Sequence, residues 1–181
     1  MIIPEIENSI FMLVDVQEKL LPAMNNAAGC LDRNRILLKS AAELGIKVIA
    51  SEQYPQGLGG TVEELKNLFC PDWTVVEKNT FSCFGAEPFV AELKNSAARN
   101  LFISGIESHV CVLQTALDAR DDYQVFVISD AVTSRKAEDY TTALQTMRQN
   151  GIQVISTESI LFMLMRSSKH QAFKAISKLI R

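Results

Sequence analysis

Short apolar runs recur along this chain, and each is followed by a segment whose hydrophobic residues fall at helical spacing. The clearest run is Ser9-Ile-Phe-Met-Leu-Val14, which ends at Asp15. No polar residue alternates within it, so a strand made of it must be covered on both faces. Ile46-Lys-Val-Ile-Ala50, Trp73-Thr-Val-Val-Glu-Lys78, Leu101-Phe-Ile103, Gln124-Val-Phe-Val-Ile-Ser129 and Ile152-Gln-Val-Ile155 read as further strands. Between them Arg33 to Leu44 carries Ile36, Leu37, Ala41 and Leu44 on one stripe and is ended by Gly45. Pro88 to Leu93, a segment from near Ser108, and Ala137 to Met147 with its Asn150-Gly151 stop also read as helices. Thr61-Val-Glu-Glu64 has capping-box form, and Thr157 is placed to cap the helix holding Ile160 to Met165. Phe173, Ile176, Leu179 and Ile180 line a terminal helix. Strands and helices in alternation predict an α/β, three-layer Rossmann-like fold: a parallel sheet of about six strands with helices on both faces. No linker, repeat or low-complexity tract divides the 181 residues, so one domain over 1–181 is expected.

Charge and composition then remove several classes of function. A formal net charge of −3 argues against a broad nucleic-acid surface. The start, Met1-Ile-Ile-Pro-Glu-Ile-Glu-Asn8, lacks the basic stretch of a signal peptide, and Ile160 to Met165 is too short to span a bilayer. A cytoplasmic protein without a membrane partner is expected. Cys30, Cys70, Cys83 and Cys111 show no CxxC spacing, and His109 and His170 are the only histidines. Neither a zinc cage nor a multi-histidine site can be built from that set, so no metal and no cofactor are expected. The glycines of Ser51 to Gly60 lack both the Walker lysine and GxGxxG spacing.

Parallel sheets of this kind place their sites at the carboxyl ends of the strands. Asp15 ends the first strand, Lys78 ends the third, and Cys111 lies just past the fourth. There Gly105 stops the strand, Ser108 can cap the next helix, and Cys111 falls in its first turn, where backbone N–H groups favour a thiolate. Taken singly, Asp15 could cap a helix, Lys78 could be a solvated strand end, and Cys111 a small buried hydrophobe. Together they supply a base for the thiol proton, a cation to hold the charge, and amides for an oxyanion. Phe81 and Phe84 could line a substrate pocket or pack in the core. His109 could face the site or solvent, Asp130 reads as a cap, and Met163 and Met165 as packing or interface.

Three segments, Met12-Leu-Val-Asp15-Val-Gln17, Glu77-Lys78-Asn-Thr-Phe-Ser82-Cys-Phe84 and Gly105-Ile-Glu-Ser-His-Val-Cys111-Val-Leu-Gln-Thr-Ala116, resemble the isochorismatase-like cysteine hydrolases in order and spacing. Ser51-Glu-Gln-Tyr-Pro-Gln-Gly-Leu-Gly59 and the tail Phe173 to Ile180 are similar to the isochorismatase domain-containing proteins within them. The resemblance implies a triad of Asp15 as base, Lys78 as electrostatic partner and Cys111 as nucleophile. It also implies a cis peptide between Ile106 and Glu107, an oxyanion hole from the Glu107 and Cys111 N–H groups, and a homo-oligomer. The reaction it implies is hydrolysis of a small amide or related small molecule, breaking a C–N bond through an acyl-enzyme. Where the nicotinamidase branch carries an aspartate and histidines for a metal, this chain has Glu52-Gln53-Tyr54-Pro55. That departure disfavours a metal-dependent nicotinamidase-like amidase. A non-catalytic interaction protein on the same fold is the remaining alternative. Cys83, five residues past Lys78, is expected near Cys111, where it could resolve an oxidised nucleophile as a disulfide.

Overall fold

The computed structural model describes residues 3–181. Its strands are β1 (Ser9–Val14), β2 (Lys47–Gln53), β3 (Thr74–Lys78), β4 (Asn100–Ile106), β5 (Gln124–Thr133) and β6 (Gln153–Ile155). They form one six-stranded sheet in the order β3-β2-β1-β4-β5-β6, with every neighbouring pair parallel. The helices are α1 (Ala27–Leu44), α2 (Pro55–Leu58), α3 (Glu63–Lys66), α4 (Glu87–Lys94), α5 (Leu113–Ala119), α6 (Ala137–Gln149), α7 (Thr157–Met165) and α8 (Phe173–Ile180). Among the described residues no helix is long and apolar enough to cross a membrane.

Alternation along β1 divides the interior into two layers. Phe11 and Leu13 face a core built with Ile36, Leu37 and Ala41 of α1, Ile160 and Leu164 of α7, and Ile176 of α8. Ile10, Met12 and Val14 face a second core with Phe89 and Leu93 of α4, Ala116 of α5, and Leu144 and Met147 of α6. All six residues of β1 are buried, as a strand without polar alternation requires.

Several boundaries differ from the sequence expectation, and polar residues are the common reason. Ser51-Glu52-Gln53 extends β2 rather than opening a loop, because each side chain finds a partner that compensates its burial. β5 runs on through Asp130–Thr133, and Asp130 Oδ1 accepts from the Thr157 amide and hydroxyl. Asp130 thus ties the start of α7, whose own cap is Ser156 rather than Thr157. Helix α1 begins at Ala27, six residues before its apolar stripe becomes visible. The capping box at Thr61 does not form: Val62 precedes α3, and the Thr61 hydroxyl donates to Glu52.

Gly105 does not stop β4. It sits inside the strand at φ +125°, beside a register shift against β5, where a Cβ would come within 2.1 Å of the Val14 carbonyl oxygen. Two backbones approach there more closely than any side chain allows. Gly105→Ala is expected to lower stability by about 3 kcal/mol, combining overpacking with an unfavourable backbone conformation. Gly45→Ala, also at positive φ but with nothing within 4 Å, should cost only about 1 kcal/mol. Urea denaturation of the two variants measures the difference.

Candidate active site

The direction of crossover reverses between β1 and β4, and at such switch points the loops leaving neighbouring strands part to form a crevice. Three adjacent strands leave the sheet here through non-glycine residues in left-handed backbone: Asp15 after β1 (φ 54°), Tyr54 after β2 (φ 39°) and Glu107 after β4 (φ 59°). Such residues each cost on the order of 1–3 kcal/mol and collect where function fixes a geometry.

Asp15 and Lys78 meet in this edge. Lys78 Nζ lies 2.7 Å from Asp15 Oδ2, and both side chains are within 1% of complete burial. Ser51 donates to the other carboxylate oxygen, Oδ1, at 2.7 Å. The ammonium also donates to Gln53 Oε1 at 2.8 Å, the Phe81 carbonyl at 3.1 Å and the Thr80 carbonyl at 3.3 Å. Both charges are therefore compensated by hydrogen bonds as well as by each other, which a dry ion pair requires.

Cys111 completes the group: its thiol is buried beside Asp15 and Lys78 and feels the charge of both. It stands in a single π-helical turn, Ser108–Val112, that leads into α5. Wide turns of this kind are frequent at functional sites. Glu107, not Ser108, precedes that turn, and Ser108 is wholly buried with its hydroxyl unpaired. Burial pushes the Cys111 thiol far up from its ordinary range, the negative charge of Asp15 adds to this, and Lys78 opposes it. The helix start therefore does not make a resting thiolate. Desolvation outweighs it, and the proton stays on sulfur until something draws it to Asp15.

The remaining candidates are distributed as follows. Phe81 contributes its carbonyl to Lys78 while its ring is among the most exposed apolar groups. Phe84 is half-buried and packs in an aromatic cluster with Phe89 and Tyr123 against the second core. His109 Nδ1 lies 3.0 Å from Ser134 Oγ and 3.4 Å from Glu107 Oε2, and Arg135 Nε lies 2.7 Å from Glu107 Oε1. Met165 is buried and Met163 is half-buried, as packing residues. The cis bond expected between Ile106 and Glu107 is absent: no cis peptide occurs among the described residues, and the left-handed Glu107 turns the chain instead.

Cys83 is fully buried and shares the second core with Cys111. Its amide donates to Thr115 Oγ1 at 3.0 Å and its thiol to Ser51 Oγ at 3.5 Å, so it reaches Asp15 through Ser51. All four cysteines are free. Glu52 and Gln53, at the position of the nicotinamidase metal ligands, are otherwise committed: Glu52 to Thr61 and Gln53 to Lys78. Among the described residues no group of three or more His, Cys, Asp and Glu side chains could hold a metal. The donor set does not fit one.

Ser51 and Gln53 are the site residues that the sequence reading passed over. Their signal was a polar triplet directly following the apolar stretch Val48-Ile-Ala50.

A six-stranded parallel sheet with helices on both faces makes this an α/β, three-layer Rossmann-like protein, and comparison with known proteins gives the family. Residues 9–159 match the isochorismatase domain. The chain is 35% identical over 174 residues to isochorismatase family protein 1B of Dictyostelium discoideum, covering 94% of this chain and 84% of that protein. It is 37% identical over 179 residues to isochorismatase domain-containing protein 1 of Salmo salar, covering 96% of this chain and 61% of that longer protein. Among solved structures, the MAR1 ribonuclease of Caenorhabditis elegans superposes with a TM-score of 0.92 at 35% identity, covering 98% of this chain and 91% of the other. The chain belongs to the isochorismatase family, whose members are hydrolases.

The buried thiols give a pH prediction. Burial raises Cys30 from 9.0 to about 12, with Asn34 opposing, and it also raises Cys83 and Cys111. In the unfolded chain these thiols ionise first, so stability is full below pH 9.0 and falls as pH climbs toward the folded values. Each thiol contributes a slope of up to about 1.4 kcal/mol per pH unit above pH 9. Urea midpoints from pH 7 to 11 should decline beyond pH 9, and Cys30→Ala should flatten the decline.

Proposed function

We propose that this chain is a cysteine hydrolase of small amides or related small molecules, with Asp15, Lys78 and Cys111 as its catalytic triad. The observation that carries the reading is a fully buried Asp15–Lys78 ion pair with the buried Cys111 thiol close enough to feel both charges. An ion pair removed from water in this way gives little net stability, and a proton-transfer role gives it a use.

Cys111 sulfur attacks the substrate carbonyl carbon as its proton passes to Asp15. The carbonyl π electrons move to oxygen, and the developing charge is met by the N–H groups of Glu107 and Cys111. Collapse of the tetrahedral adduct breaks the C–N bond, and protonated Asp15 returns the proton to the leaving amine. Water, deprotonated by Asp15, then attacks the thioester and releases the acid, restoring the thiol. Lys78 holds the Asp15 carboxylate in place through each half-reaction. A protonated resting thiol agrees with this scheme, since the base acts only as the nucleophile attacks.

Substrate screening with small amides, isochorismate-like vinyl ethers and esters tests the proposal. Wild type should turn over one class, Cys111→Ala should lose at least about 1,000-fold of that rate, and Asp15→Asn a comparable amount. EDTA should leave the rate unchanged, because Glu52 and Gln53 are committed elsewhere. Turnover unaffected by Cys111→Ala would overturn the mechanism, and activity lost to EDTA and restored by a divalent metal would revive the nicotinamidase-like alternative.

Similarity to a protein named a ribonuclease favours RNA as a second substrate reading. The acidic net charge of −3 weighs against it, since phosphate contacts carry most nucleic-acid affinity. Purified wild type and Cys111→Ala incubated with end-labelled RNA decide the matter: under the amide reading neither cleaves it.

A further inference from the structure

An ammonium has three protons, and Lys78 has four oxygens around it. None of its hydrogen-bonding capacity is left for a substrate. Lys78 therefore acts only through Asp15, and whatever holds Lys78 also sets the base. Two of the four oxygens are the carbonyls of Thr80 and Phe81, supplied by the chain just past Lys78 itself. The third is Asp15. The fourth, Gln53 Oε1 at 2.8 Å, is the only other side chain.

Gln53 is held in a way that leaves it no alternative orientation. Its Nε2 donates to the Asn79 carbonyl at 3.1 Å while Oε1 accepts from Lys78. Lys78 offers only protons and the Asn79 carbonyl only lone pairs, so flipping the amide would break both bonds. The backbone is fixed as firmly. Gln53 N donates to Gln17 Oε1 at 2.7 Å, and Gln17 Nε2 donates back to the Gln53 carbonyl at 3.0 Å and to Gly59 at 2.6 Å. Gln17 is fully buried and lies two residues beyond Asp15. One clasp thus joins the exits of β1, β2 and β3, with Gln53 opposite Lys78 in the β2–β3 register.

We propose that Gln53 is a positioning residue of this site: its amide oxygen holds the Lys78 ammonium directed at Asp15, and so keeps the carboxylate placed to receive the Cys111 proton. This rests on the reading of Cys111 as nucleophile. The other ionisable groups around the assembly are Asp15, Cys111 and Cys83, the last reaching Asp15 through Ser51. Glu52, the neighbour of Gln53, is turned to Thr61.

The test follows alkylation of Cys111 by iodoacetamide in the intact protein, by peptide mass mapping, from pH 5.5 to 10. Gln53→Glu should slow labelling about tenfold throughout this range. The added carboxylate competes for the ammonium and places negative charge beside the forming thiolate. Gln53→Met should also slow labelling about tenfold, because an ammonium freed on that side no longer holds the Asp15 carboxylate toward Cys111. Gln53→Asn, too short to reach Lys78, should follow Gln53→Met, and it serves as the second variant should either of the others fail to fold. If folded variants lose thermal stability but keep the wild-type profile, Gln53 only ties β2 to β3 and the proposal is overturned while the nucleophile reading stands. If wild-type Cys111 shows no pH-dependent labelling, both are overturned.

Discussion

The buried pair of Asp15 and Lys78 is the interaction on which the rest of this edge depends. Two opposite charges 2.7 Å apart and out of contact with water are worth little unless every remaining lone pair and proton is also satisfied. That requirement accounts for the surroundings. Ser51 serves the carboxylate, Gln53 and two carbonyls serve the ammonium, and Gln17 fixes Gln53. The polar end of β2 is the solvation shell of an ion pair, built from protein in place of water.

The sheet makes this possible by bringing distant residues together. Asp15 and Lys78 are 63 positions apart in sequence, yet only β2 separates their strands. Parallel pairing points all these strands the same way, so every carboxyl end arrives at one edge. The apolar runs are spent mainly on the two cores, which leaves chemistry to the residues just beyond them. Gly105 extends the arrangement to β4, because only a residue without a side chain lets that backbone lie so close to Val14.

What the sequence made legible follows from the same division. Apolar periodicity located all six strands and the main helices, and the residues after β1 and at the end of β3 identified Asp15 and Lys78 before any geometry was known. Polar strand ends were invisible. Ser51 to Gln53 looks like loop because its partners lie on other elements, and no local pattern announces a tertiary hydrogen bond. The first turns of α1 were missed because Ala27-Ala-Gly29 has no apolar stripe. The state of Cys111 was misjudged for a related reason: helix position is readable in one dimension, whereas desolvation is a property of the packed interior.

The left-handed exits at Asp15, Tyr54 and Glu107 carry a consequence for how such a chain changes over time. Glycine or asparagine would occupy each of these positions with less strain, so relief of the backbone is always one substitution away. At Tyr54 and Glu107 such relief would ease the backbone while loosening a turn beside the site; at Asp15 it would leave the Lys78 ammonium unpaired. Most of the molecule can drift toward greater stability without consequence. Along this one edge, stability and chemistry pull against each other, and selection for a more robust protein would erode the site first.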